Sequence, residues 1–405
     1  MKNLVELSDK NLLELSHTGL ALLILEAAGV LVCAALWLLV PGVRRRLLPM
    51  QRERACPWSG AVIWFAFCLM LFIPVMVHQL LLASGLFTAI YGADANMPAL
   101  AERQALWSTA FGFTATALVI VALLSSAFGV RPAELGLTPV RTAENIVAGY
   151  LTWLLCTPLA LLLYWVVTLY VTPEIHPLQL AGQQRLLPVE WVAIVFGAVV
   201  AAPLLEELLF RGLLLRWQTD RPMGAQLTVA VAALIIALFW GNQKDRDFNP
   251  WPAVFVAAML PGMFLVALLP KRPGETAPEG WTDGSPPVTK QGPLVPRVPG
   301  EDAIQERKEG QFTAAPVLGS GVFPRIAAAF TRLRGERHVQ DLLAIYSNAL
   351  LFAAFHSRVW PSPIALFPLS IGLGWLAYRT QSLIGPLVMH ALFNGVACMV
   401  LFLSQ

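Results

Sequence analysis

Apolar stretches of about twenty residues recur along this chain, at 19–40, 58–83, 106–129, 146–171, 189–215 and 383–403. A helix needs about 20 such residues to cross the hydrocarbon core of a bilayer, so each run is long enough to span one. No other feature limits the fold as strongly. Further apolar runs at 227–240, 251–269, 342–357 and 363–379 bring the expectation to an all-α polytopic membrane protein with about 8–10 transmembrane helices. The composition agrees: 57% of residues are hydrophobic and 13% charged, where soluble domains carry roughly 45–50% and 25%. Mean hydropathy is +0.64.

Against that background, charge inside an apolar run is conspicuous. The run at 189–215 contains Pro203-Leu204-Leu205-Glu206-Glu207-Leu208-Leu209-Phe210-Arg211-Gly212. A charge at the bilayer centre costs about 3 kcal/mol on insertion scales, and such residues usually serve function. Glu207 and Arg211 are four apart with the acid first, the favourable order for an ion pair on one helical face. Glu206 points about 100° away from Glu207 and has no partner within the motif. One carboxylate is neutralised locally and the other is free. Pro203, just upstream, frees a backbone carbonyl and can bend the helix, opening space for water.

Later apolar runs add polar groups of their own. Phe352 and His356 are one turn apart, and His390 and Asn394 share a helical face at the same spacing. A buried polar group needs a partner, and unpaired Glu206 is the common partner expected for them. A carboxylate, two imidazoles and a carboxamide together can activate a water and stabilise an oxyanion, the two tasks of amide hydrolysis.

These residues resemble the CAAX protease and bacteriocin-processing (CPBP) family of intramembrane proteases. The resemblance lies in Glu206-Glu207-x-x-x-Arg211, Phe352-x-x-x-His356 and His390-x-x-x-Asn394, in order, each in an apolar run. Pro203, Phe210-Arg211-Gly212 and Gly374-Trp375-Leu376-Ala377-Tyr378-Arg379-Thr380 ahead of Pro386 are also family-like. It covers about 130–240 and 342–403. The resemblance implies that Glu206 is the general base, helped by His356, and that Glu207 and Arg211 form a structural ion pair. It implies that His390 and Asn394 hold the site together and donate hydrogen bonds to the oxyanion. Its members are often labelled metalloproteases, and Glu206, His356 and His390 would suit a divalent metal such as zinc. A metal-free glutamate mechanism uses the same residues, and both readings stand at this point. The implied partners are a lipid bilayer and a membrane-associated protein or peptide substrate, CAAX-type or bacteriocin-like.

About 140 residues separate Arg211 from Phe352, long for such a family. Much of the excess is a Pro- and charge-rich insert at 270–340 that cannot bury enough apolar surface to order itself. The chain thus divides into N-terminal transmembrane helices (1–130), a first core segment carrying the Glu-Glu helix (131–269), the insert (270–340) and a second core segment with both histidine motifs (341–405). Basic residues cluster at Arg44–Arg54. Placing that cluster in the cytoplasm and alternating puts the insert there too, in a bacterial plasma membrane. The Lys and Arg residues fall between apolar runs and form no basic face, which excludes a nucleic-acid binder.

The cysteines Cys33, Cys56, Cys68, Cys156 and Cys398 show no ligand spacing and read as packing residues. Glu26 and His78 read as packing or interfacial groups, and His17, His176 and His338 as exposed. Gly319-Ser320-Gly321 lies in the insert and carries no serine-protease signal. No HExxH occurs, so a zincin-like site is not expected, and no serine or cysteine accompanies the base, so water attacks directly. The alternative to an endopeptidase is a non-enzymatic transporter or scaffold that uses the buried charges as a binding site.

Overall fold

A computed structural model of the protein describes residues 28–30, 48, 56–92, 100–171, 173–174, 186–221, 223–241, 255 and 337–403. Within these we number α1 (Gly60–Ala83), α2 (Leu86–Tyr91), α3 (Leu100–Phe128), α4 (Thr142–Thr168) and α5 (Pro188–Asp220). They continue with α6 (Gly224–Gly241), α7 (Arg337–Phe355), α8 (Ser362–Thr380) and α9 (Ile384–Leu403). The expected all-α class is what the chain adopts, with no strand among the described residues. Nearly all of the apolar runs at 19–40 and 251–269 and of the insert lies outside the described residues, as do Glu26, His17 and His176. The side chain of His338 does too.

Five helices, α1, α3, α4, α5 and α9, are long and apolar enough to cross a membrane. Their neighbours differ. Half of the apolar window of α5 is buried inside the protein, against 17–28% for the other four. α5 is therefore the central post: it packs on α1, α3, α7, α8 and α9, while α4 closes against α8 and α9. The outer helices turn large apolar side chains outward, such as Phe65, Leu71 and Phe72 on α1 and Leu155 and Trp165 on α4. In water such a patch would drive association, whereas lipid tails solvate it.

Helices in lipid gain little from burying apolar surface against one another, so close approach matters more. Gly149 on α4 meets Gly385 on α9 backbone to backbone, and a methyl at Gly149 would collide with the Gly385 carbonyl oxygen. The two main chains touch here.

The polar ends of the helices are satisfied from within. Glu190, in the first turn of α5, accepts the Leu187 N–H at 2.6 Å, capping the helix it sits on. The same carboxylate pairs with Arg103 of α3 at 2.6 Å, both side chains being buried. The apolar run at 106–129 begins three residues after Arg103 and leaves it outside the span. α3 starts earlier, at Leu100, and carries Arg103 into the interior. His78 sits 2.8 Å from the hydroxyl of Ser108, a packing partner between α1 and α3. Cys56 is buried with its thiol donating to the Trp58 carbonyl, and burial pushes its pKa up to about 12, which keeps it inert.

Candidate active site

The motif helix does not run in one register. Two π-helical stretches, Phe196–Ala201 and Leu208–Leu214, flank the six α-helical residues Ala202–Glu207 that carry both acids. Ala202 N–H reaches back five residues to Gly197 O, and Leu215 N–H likewise to Phe210 O. A π turn widens the helix and shifts carbonyls out of the i→i−4 ladder, as is common at functional sites. Side chains from elsewhere donate to those carbonyls. Asn394 Nδ2 reaches Ala198 O at 2.8 Å, Asn348 Nδ2 reaches Phe210 O at 2.7 Å, and Trp58 Nε1 reaches Leu213 O at 3.2 Å. α5 is stapled from α9, α7 and the segment before α1.

The two acids have different surroundings. Glu207 Oε1 accepts from Arg211 Nη1 at 2.9 Å and from His390 Nδ1 at 2.7 Å, and its side chain is 0% exposed. Arg211 also donates to the Ser370 hydroxyl at 2.6 Å on α8, and its guanidinium lies 4.6 Å from the Phe352 ring centre. Glu207 Oε2 and Arg211 Nε have no hydrogen-bond partner among the described residues, but the pairs this half of the site does make are strengthened by the low dielectric. Glu206 differs: its side chain is 17% exposed, and no described residue hydrogen-bonds to either of its oxygens. His390 Nε2 lies 3.8 Å from Glu206 Oε2.

His390 thus bridges the acids. With Nδ1–H donated to Glu207, the other ring nitrogen faces Glu206. The sequence reading expected Glu206 to be the common partner of both imidazoles, yet the shortest His390 contact is to Glu207. Spacing along one helix fixes the angle between Glu206 and Glu207. It does not fix which of them α9 will meet.

His356 closes α7. Its Nδ1–H donates to Phe352 O at 2.8 Å, one turn back, which leaves Nε2 with its lone pair. It makes no hydrogen bond to Glu206. The Phe352 ring stands between the histidines, 4.8 Å from the His356 ring centre and 5.8 Å from that of His390. Among the described residues no three His, Cys, Asp or Glu side chains form a group that would hold a metal ion. Glu206, His356 and His390 as arranged do not fit a metal, and no step below is routed through one.

Several supporting residues escaped the sequence reading. Ser370, Asn348 and Glu190 had one available signal: each is a polar side chain inside an apolar run and must find a partner there. Gln218 belongs with them, donating to Thr228 at 2.8 Å and Ser347 at 3.0 Å in a buried polar cluster beside Asn348.

The family model described as type II CAAX prenyl endopeptidase Rce1-like matches residues 188–275 and 323–396. The matched parts contain α5, α6 and α7–α8 with most of α9, and hence Glu206, Glu207, Arg211, His356, His390 and Asn394. The unmatched stretch between them, 276–322, falls inside the insert read from composition at 270–340. No curated protein and no solved structure matches the chain.

Proposed function

Because the chain belongs to the Rce1-like family of type II CAAX prenyl endopeptidases, we propose that it hydrolyses a peptide bond of a membrane-associated protein or peptide with Glu206 as the base. The family is one of proteases, and five membrane-length helices make this member an integral membrane protein. One observation carries the assignment of the base. Of two adjacent carboxylates, Glu207 is fully buried with its Oε1 engaged by Arg211 and His390, while Glu206 is 17% exposed and receives no hydrogen bond from the described residues.

In the proposed reaction Glu206 takes a proton from a water as the water oxygen attacks the scissile carbonyl carbon. His356 Nε2, an acceptor because Nδ1–H is tied to Phe352 O, helps orient that water. The C–O bond forms and the carbonyl π pair moves onto oxygen. His390, held by Glu207, and the second N–H of the Asn394 amide are the donors for that oxyanion. Collapse breaks the C–N bond, and the proton on Glu206 passes to the leaving amine. Glu207 and Arg211 touch no substrate in this scheme and serve to aim His390.

The test is Glu206→Gln, which keeps the shape and removes the base. N- and C-termini of membrane proteins are compared in cells carrying wild type or the variant. New termini found only with wild type support proteolysis and name substrates. Identical termini, with both proteins expressed and folded, overturn the protease reading in favour of a transporter or scaffold.

A further inference from the structure

Pro203 has no role in the chemistry above, yet it sits where α5 changes register. Ala202 N–H bonds Gly197 O, five residues back. The next N–H of that ladder would belong to residue 203 and would meet Ala198 O. Proline has none to give. In hydrocarbon an unpartnered carbonyl costs several kcal/mol, so a neighbouring helix must supply a donor. Asn394 Nδ2, 2.8 Å from Ala198 O, is that donor. The need is mutual, because an unpartnered amide on apolar α9 is equally costly.

We infer that Pro203 is a positioning residue: by withholding an N–H from Ala198 O it commits Asn394 to that carbonyl, and so fixes α9, with His390, against the two acids. Asn394 lies one turn beyond His390 on the same face. α9 is therefore tied to α5 at two successive turns, by Asn394 on Ala198 O and by His390 Nδ1 on Glu207 at 2.7 Å. Without the upper tie, rotation or sliding of α9 would move His390 Nε2 away from its 3.8 Å approach to Glu206. The amide then has two tasks: one N–H holds the helix and the other faces the reaction.

The inference rests on the protease reading only for its activity readout, so the experiment measures stability as well. Wild type, Pro203→Ala, Asn394→Ala and the double variant are compared in detergent micelles. Asn394→Ala is expected to lower Tm by about 1 °C, because the shift caused by one lost hydrogen bond shrinks as the unfolding entropy grows with chain length. It should also reduce kcat/KM by about tenfold or more, since a small misplacement near the chemistry is costly. Pro203→Ala supplies the missing N–H. In that background the Asn394→Ala loss in Tm should shrink by at least half, while the share of the rate loss that comes from the missing oxyanion donor remains.

The pH profile of kcat/KM separates positioning from mere loss of folded protein, which rescales a profile without moving it. The groups facing His390 are Glu206 and Glu207, with Arg211 and the Phe352 ring behind them. Asn394→Ala should displace the profile and the double variant should return it towards wild type. Additive effects of the two substitutions on Tm, with a pH profile that the double variant does not return, overturn the inference. If Asn394→Ala does not fold, recovery of folding in the double variant supports the inference, and failure of both overturns it. If wild type cleaves no peptide, the protease reading fails and coupling in Tm alone decides.

Discussion

At its start α5 is tied to α3 by Glu190 and Arg103; further along, Glu207 and Arg211 pair within α5 itself. At Glu190 both carboxylate oxygens receive Arg103 Nη1, at 2.9 and 2.6 Å, and the Leu187 N–H adds a third donor. Neither oxygen of that carboxylate is left over. Around Arg211 there are two carboxylates for one guanidinium, and His390 is inserted between them. The first arrangement can only hold. The second holds with one acid and keeps the other in reserve. A buried charge in an apolar helix is thus no evidence of chemistry by itself; an acid in excess of the donors around it is.

The sharpest way to break this comparison is to neutralise each acid in turn. Glu206→Gln should reduce kcat by about 100-fold or more, or about 3 kcal/mol in the barrier, with Tm within a degree or two of wild type. Cleavage of a reporter peptide in proteoliposomes measures this. Retained activity would put the base elsewhere. The opposite profile is expected at the other pair. Arg103→Met leaves Glu190 buried and unpaired, which should cost about 3 kcal/mol of stability, while cleavage per folded molecule stays unchanged. Thermal unfolding in detergent checks it, and an unchanged Tm would show that the pair holds nothing.

Smaller changes sharpen the contrast. Ser370→Ala removes the hydroxyl that Arg211 reaches at 2.6 Å and should cost about 1–2 kcal/mol in unfolding assays. Because Glu207 and His390 keep their own contact, the rate should fall only a few-fold. The smallest expected effect is from chelators. The proposed mechanism uses only the chain's own groups, so incubation with EDTA or phenanthroline should leave cleavage unchanged. Activity lost with chelator and restored by zinc would assign a metal to Glu206 and the histidines.

Much of the helical framework could be read directly from the sequence. α1, α4, α5, α8 and α9 start and stop within a few residues of the apolar runs, because the bilayer demands a length that hydropathy records. Arg103 was misplaced for a related reason: burial by pairing across helices makes a charged residue part of a span that hydropathy ends too soon. Within the site, spacing could put Glu207 beside Arg211 and His390 beside Asn394, since both are statements about one helix. It could not indicate the π turns, which come from a change of register, nor the Phe352 ring between the histidines, which depends on how α7 meets α9. Tertiary partners such as Ser370 and Asn348 need the packed neighbours themselves.

The contact of Gly149 with Gly385 has a consequence in time as well as in space. Exposed side chains hop between rotamers in picoseconds to nanoseconds, and such hops let a helix surface yield in small steps. Where two main chains touch, no such small steps exist. α9 must move there as a unit, on the microsecond to millisecond scale of helix displacements, or stay still. His390, five residues past Gly385, inherits that slowness, so its place between the two acids persists through many rotamer lifetimes of the lipid-facing side chains around it.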